Sequence, residues 1–307
     1  MAKQKTAYVC SDCGSDYGKW QGQCSDCGAW NTLSEVRLGP TSRGARAGTA
    51  RSSRAGFAGT LAPARRLDEI DTAEVTRIAS GMSEFDRVLG GGLVPGSAIL
   101  MGGSPGAGKS TLLLQTLCHL AISLPALYIT GEESPEQVAA RAQRLSLPMD
   151  GLKLMSETRL EAILEALQTH APRVLVVDSI QVVYSDELSS APGSVSQVRE
   201  CAAALTRAAK ETGTVLLLVG HVTKDGSLAG PKVLEHMIDC SILLESSDDA
   251  RYRTLRGQKN RFGAVNELGI FAMTDRGLRE VKNPSAIFLE RGEGEAAGSA
   301  VMVVWEG

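Results

Sequence analysis

The sequence predicts an α/β protein: a mostly parallel sheet covered by helices, preceded by a small four-cysteine module. Three observations carry that reading. Short apolar runs alternate with helical stretches through the middle of the chain, a glycine-rich loop joins one such strand to its helix, and "CSDCG" occurs twice near the start, at Cys10 to Gly14 and Cys24 to Gly28.

The alternation runs strand 98–101, helix 111–122, strand 126–130, helix 159–169, strand 174–178, helix 197–211 and strand 215–219. Continuous apolar strands separated by helices imply a parallel sheet with helices over it. With 307 residues, 43% hydrophobic and 22% charged, the chain can bury a sizeable core. Its net charge of −3 excludes a generally polybasic molecule, so any nucleic-acid contact has to come from local patches. The opening "MAKQKTAYVC" lacks the apolar stretch of a signal peptide. No apolar run approaches the roughly 18 residues of a membrane span, so a soluble, cytoplasmic protein without a membrane partner is expected.

Four of the seven cysteines form the two Cys-x-x-Cys-Gly pairs. The two-residue gap lets Cys10 and Cys13, and likewise Cys24 and Cys27, reach one tetrahedral zinc ion, while the glycine permits the tight turn. A reducing compartment disfavours two disulfides, and the doubled pattern disfavours a redox motif. Four thiolates leave no open coordination position, so the zinc is expected to be structural in a ribbon over residues 1–36. Cys118, Cys201 and Cys240 stand singly in apolar surroundings and read as core residues. From Arg37 to Arg66 there are seven arginines, five glycines and no acid, which reads as a flexible basic linker over 37–66. It is either a tether alone or a tether that also touches phosphates.

From residue 67 the strongest motif follows. "ILMGGSPGAGKSTLLLQ" sets the strand Ala98 to Met101 before a loop that satisfies G-x-x-x-x-G-K-[ST] at Gly103, Gly108, Lys109 and Ser110. In such a loop, backbone N–H groups curl around phosphate oxygens at a helix N-terminus. Gly103, Ser104, Pro105, Gly106, Ala107, Gly108, Lys109, Ser110 and Thr111 are therefore the expected ATP cradle. Lys109 is expected on the outer phosphates and Ser110 on magnesium. "RVLVVDSI" ends a strand in Asp178, the acid expected to complete the Mg2+ site. "ALYITGEES" ends another in Glu132 and Glu133, at the carboxyl edge where parallel strands bind ligands. Glu132 is the expected base for the attacking water, with Glu133 an ion-pair or capping residue. His221, after a further strand, is read as a γ-phosphate sensor, the alternative being a hydrogen-bonded polar residue.

"LRGQKNRFGAVNE" packs Arg256, Lys259 and Arg261 among two glycines and one aromatic. It is flanked by strand-like runs, and a hairpin tip with solvated charges would be the plain explanation.

"ASGMSEFDRVLGGGLVPGSAILMGGSPGAGKSTLLLQ", "YITGEES", "VVDSIQ" and "HVTKDGSLAGPKVLEHMID" resemble the RecA-like ATPase superfamily. Joined to the cysteine ribbon and "KNRFG" (Lys259 to Gly263), they resemble the bacterial RadA/Sms DNA-repair proteins, from Cys10 to about Gly298. Ser104 departs from the aspartate frequent in that family, at a position that offers mainly its backbone. The resemblance implies a RecA-like core over 67–285 and the start of a Lon-protease-like domain over 286–307. It also implies a hexameric, DNA-dependent ATPase driving branch migration in recombination, meeting single-stranded DNA, recombination intermediates and a RecA-type recombinase. Lys259 and Arg261 would act in trans on a neighbour's nucleotide and also contact DNA. The stretches 184–200 and 223–236 would line a central channel, with Arg199, Lys224 and Lys232 on phosphates. A different class fits the same residues: a nucleotide-switched protein that binds DNA or recombinase without moving strands. A KaiC-like or replicative-helicase relative shares the core but does not account for "KNRFG" with the ribbon.

Overall fold

The computed structural model describes residues 5–10, 16–26, 28–38, 66, 68, 76–220, 234, 236–246 and 251–282. Residues 39–65 of the expected linker, the residues 286–307, and the predicted functional residues Cys13, Cys27, His221, Lys224 and Lys232 lie outside them, while Arg37 and Leu38, expected in the linker, instead end a strand of the cysteine module.

Near the start, β1 (Lys5–Cys10), β2 (Asp16–Tyr17) and β3 (Leu33–Leu38) form an antiparallel sheet in the order β2-β1-β3. Cys10, Cys24 and Leu33 make a small buried cluster against which Tyr8 and Tyr17 pack.

The second sheet has nine strands in the order β12-β11-β10-β9-β4-β8-β7-β5-β6. Its parallel part comprises β4 (Ala98–Gly102), β5 (Ala126–Thr130), β6 (Leu152–Ser156), β7 (Val174–Asp178), β8 (Val215–Val219) and β9 (Cys240–Ser246). Three strands extend it antiparallel: β10 (Tyr252–Asn260), β11 (Leu268–Thr274) and β12 (Gly277–Glu280). The mostly parallel sheet expected from the sequence is therefore present, with an antiparallel flank.

Why the central strands read as unbroken apolar runs is visible in the two core clusters. Ile99, Met101, Ala126, Tyr128, Val174, Val176, Leu217 and Val219 point to one face, where Leu113 and Leu117 of α2 (Lys109–Leu120) cover them. Ala98, Leu100, Leu127, Ile129, Leu175, Val177, Leu216 and Leu218 point to the other. There they meet α4 (Leu160–His170) and α5 (Val195–Thr212). Successive side chains alternate between faces, and both faces are dry, so no polar alternation remains.

Among the described residues there are two further α-helices: α1 (Ser83–Val88), whose Phe85 and Val88 are buried, and α3 (Pro135–Arg144). The latter starts on a capping box, with Ser134 and Gln137 satisfying each other's backbone N–H groups and Pro135 in the first turn. Among the described residues no helix is long and apolar enough to cross a membrane.

Candidate functional site

Parallel strands deliver their carboxyl ends to one rim of a sheet. Here β4 runs into the glycine loop, β5 into Gly131–Glu132–Glu133 and β7 ends in Asp178, with Thr130 opposite Asp178 in register. Gly103, Gly108, Lys109, Ser110, Glu132 and Asp178 thus come from three strand ends that the sequence separates.

The loop fits an anion. Gly103 has φ +152°, and a Cβ there would collide with the Leu244 carbonyl. α2 begins after Gly108 at φ +106°, without a side-chain cap and without an acid in its first turn. Its leading N–H groups are left for an oxygen-rich ligand. Lys109 is 4% exposed and folds back so that Nζ donates to the carbonyls of Gly103, 2.7 Å, and Ser104, 3.0 Å. Burial pulls its ammonium below the ordinary lysine value, while the neighbouring carboxylates of Asp178 and Glu132 oppose that shift. A charge held this way, cushioned by carbonyls rather than by a bound carboxylate, fits a phosphate group.

The acids differ in their bonds. Asp178, 7% exposed, accepts a hydrogen bond from the buried Tyr128 hydroxyl at 2.6 Å. Ser179 donates its hydroxyl to Glu132. Glu133 pairs instead with Arg141 of α3, and its backbone is tied to the Thr130 hydroxyl at 2.9 and 3.0 Å. Asp178, near Lys109, and Ser110, the next residue of α2, carry the hard oxygen donors that magnesium takes. An exposed Glu132 next to them can polarise water.

Lys259 and Arg261 are not at this rim. β9 runs parallel to β4 with Cys240 opposite Ile99, and β10 returns antiparallel with Asn260 opposite Cys240. The end of β10 therefore lies level with the start of β4, a strand length from the glycine loop. Lys259 Nζ donates to the Ile238 carbonyl at 2.9 Å, and Arg261 Nη1 to Asp239 at 3.2 Å. The hairpin expected around this motif exists, but Lys259 and Asn260 close strand β10 itself, and only Arg261 to Gly263 enter the connection. The motif is seated on the turn after α1: Arg77 donates to the Phe262 carbonyl at 2.7 Å, and a Cβ on Gly263 would sit 2.8 Å from Gly90 Cα.

Arg199 also stands apart from a loop. It belongs to α5, which takes over from Val195, and it pairs with Glu200 at 3.3 Å. In the ribbon, the Cys10 thiol lies 3.2 Å from the Thr32 hydroxyl and the Cys24 thiol 3.2 Å from that of Tyr17. Two sulfurs in one buried cluster fit a metal-thiolate site whose other pair, Cys13 and Cys27, is outside the described residues.

Sequence reasoning missed three groups. Tyr128 was hidden in an apolar strand, where a hydroxyl on an otherwise aliphatic run was the available signal. Arg253, 7% exposed, donates Nε to the Ala107 carbonyl at 2.9 Å and so braces the glycine loop from behind. Asp239, 1% exposed, receives Lys210 at 2.9 Å, Arg261, and the Ala98 N–H at 3.0 Å.

A family model described as "AAA domain" matches residues 63–227, and one described as "Rubredoxin metal binding domain" matches residues 8–35. Among curated proteins, "DNA repair protein RadA" of Haemophilus influenzae is 61% identical over 310 residues. The proteins so described are 61% identical over 308 residues in Escherichia coli and 47% over 313 in Bacillus subtilis. Each match takes in 100% of this chain and 66% of the relative's length. The chain belongs to the AAA-domain family and, within it, to the bacterial RadA group of DNA repair proteins.

Proposed function

We propose that this chain is an ATP hydrolase of DNA repair and homologous recombination, cytoplasmic, stimulated by single-stranded DNA and built to drive branch migration. The observation that carries the reading is the convergence of Lys109, Asp178 and Glu132 on one rim. Lys109 would leave the carbonyls of its own loop for the outer phosphates, and the amides of residues 103–111 would hold the rest of the polyphosphate. Ser110 and Asp178 would hold magnesium, which neutralises charge developing on the phosphates when bound. Glu132 would orient the attacking water and take its proton. His221 would report on the γ-phosphate.

Because Lys259 and Arg261 sit at the other end of the sheet from their own loop, their cationic role belongs to a neighbouring copy, consistent with a hexameric ring. Arg199, Lys224, Lys232 and the same two cations would meet DNA phosphates, and a RecA-type recombinase would be the partner. Cys10, Cys13, Cys24 and Cys27 would hold a structural zinc.

The test is ATP turnover with and without single-stranded DNA, beside strand migration on a branched substrate. Turnover should rise with DNA, and Lys109→Ala should lower it on the order of 100-fold or more. Retained turnover in that variant would sink the assignment. DNA binding gated by nucleotide, with no strand movement, would point instead to a switch.

A further inference from the structure

Strands β5 and β7 exchange hydrogen bonds across the rim in a reciprocal way. Tyr128, on β5, donates its hydroxyl to Asp178 Oδ2 at 2.6 Å at the end of β7. Ser179, the residue after β7, donates to Glu132, just past the end of β5. Each acid is held by a hydroxyl from the other strand. We infer that these two hydroxyls are positioning residues that sort the acids: Tyr128 aims Asp178 at the metal, and Ser179 aims Glu132 at the water.

The geometry gives each hydroxyl a distinct task. Tyr128 is fully buried and Asp178 nearly so, which leaves few ways for that carboxylate to turn. An O–H donor on Oδ2 spends one lone pair there and leaves Oδ1 as the free oxygen for a cation, as outer-shell donors do at metal sites. The ring and the strand fix the hydroxyl, since Tyr128 lies in the same core face as Val176. Glu132 is exposed, so without a partner its carboxylate would sweep through several rotamers. The buried Ser179 hydroxyl holds it close to Asp178. Glu133, one residue on, is committed to Arg141 and cannot take the same place. The contact with Ser179 is thus what distinguishes two adjacent glutamates.

This inference rests on the proposed nucleotide site but not on its use of DNA. The experiment uses the whole chain, with Mg2+ titrated against binding of a fluorescent, non-hydrolysable ATP analogue, and single-turnover hydrolysis as a second readout. Tyr128→Phe should raise the Mg2+ concentration for half-maximal binding about tenfold, the scale of an outer-shell loss, while binding at saturating Mg2+ persists. Ser179→Ala should leave the Mg2+ midpoint unchanged and slow hydrolysis about tenfold or more. The Ser179→Ala/Glu132→Gln double variant should be no slower than Glu132→Gln alone, because the two act through one group.

A Tyr128→Phe protein with an unmoved Mg2+ midpoint would overturn the metal half, whatever its melting temperature. Multiplicative losses in the double variant would overturn the water half. The Mg2+ titration decides the matter whether or not DNA stimulates turnover.

Discussion

Gly103 shows how closely one residue can be bound to the chemistry. Its φ of +152° and the Leu244 carbonyl in the place of a Cβ leave room only for hydrogen. Gly103→Ala should therefore push the loop off β9, abolishing nucleotide binding as read by the fluorescent analogue and lowering the melting temperature. Wild-type affinity in that variant would show that the loop tolerates the shift. At this scale much was legible beforehand. Lys109 and Asp178 announced themselves through local spacing, and the single cysteines 118, 201 and 240 are indeed buried, with burial pushing their thiols up to about 11, 11 and 12. Tyr128, Arg253 and Asp239 were not legible. Their partners lie 50, 146 and 22 or more residues away in sequence, so their meaning depends on strand register that no local window contains.

Among the elements, the strands buried on both faces were read best. Strands 126–130, 174–178 and 215–219 coincide with β5, β7 and β8, because both their faces are apolar and their ends are marked. α1 and β6 escaped: six helical residues carry too little periodicity, and β6 lies at the sheet edge with exposed and half-buried positions mixed. α3 escaped although Ser134, Pro135 and Gln137 spell a helix start. The connection between β10 and its neighbours hangs on Asp239, whose side chain is 2% exposed and receives Lys210 and Arg261. Asp239→Asn should cost about 3 kcal/mol, because Lys210, 17% exposed, is left without its counter-charge. Arg261→Ala should cost less than Asp239→Asn, since that guanidinium is 50% exposed and its pair is screened. Denaturant unfolding of the two variants checks the order, and equal losses would remove Asp239 from its central place.

For the whole molecule, the sheet places the glycine loop and the Lys259–Gly263 motif at opposite ends. A Lys259→Ala protein should bind nucleotide normally yet fail to hydrolyse it, because its own loop is intact. Mixed with Lys109→Ala under conditions where copies exchange, it should recover measurable turnover, each partner supplying what the other lacks. A mixture as inactive as its components would defeat the shared-site proposal. The sequence could suggest this arrangement only through resemblance, since the ordering of strands β9 and β10 beside β4 is what sets the two ends apart.

Five residues of β4 separate the start of that strand from the loop it feeds, about 13 Å of extended chain between the ends. No side-chain rotation spans such a gap inside a packed sheet, so Lys259 and Arg261 do not reach the glycine loop of their own chain. If the cations do serve a phosphate, dilution alone should extinguish turnover well before it disturbs the fold, and each copy would sense what its neighbour holds rather than what it holds itself.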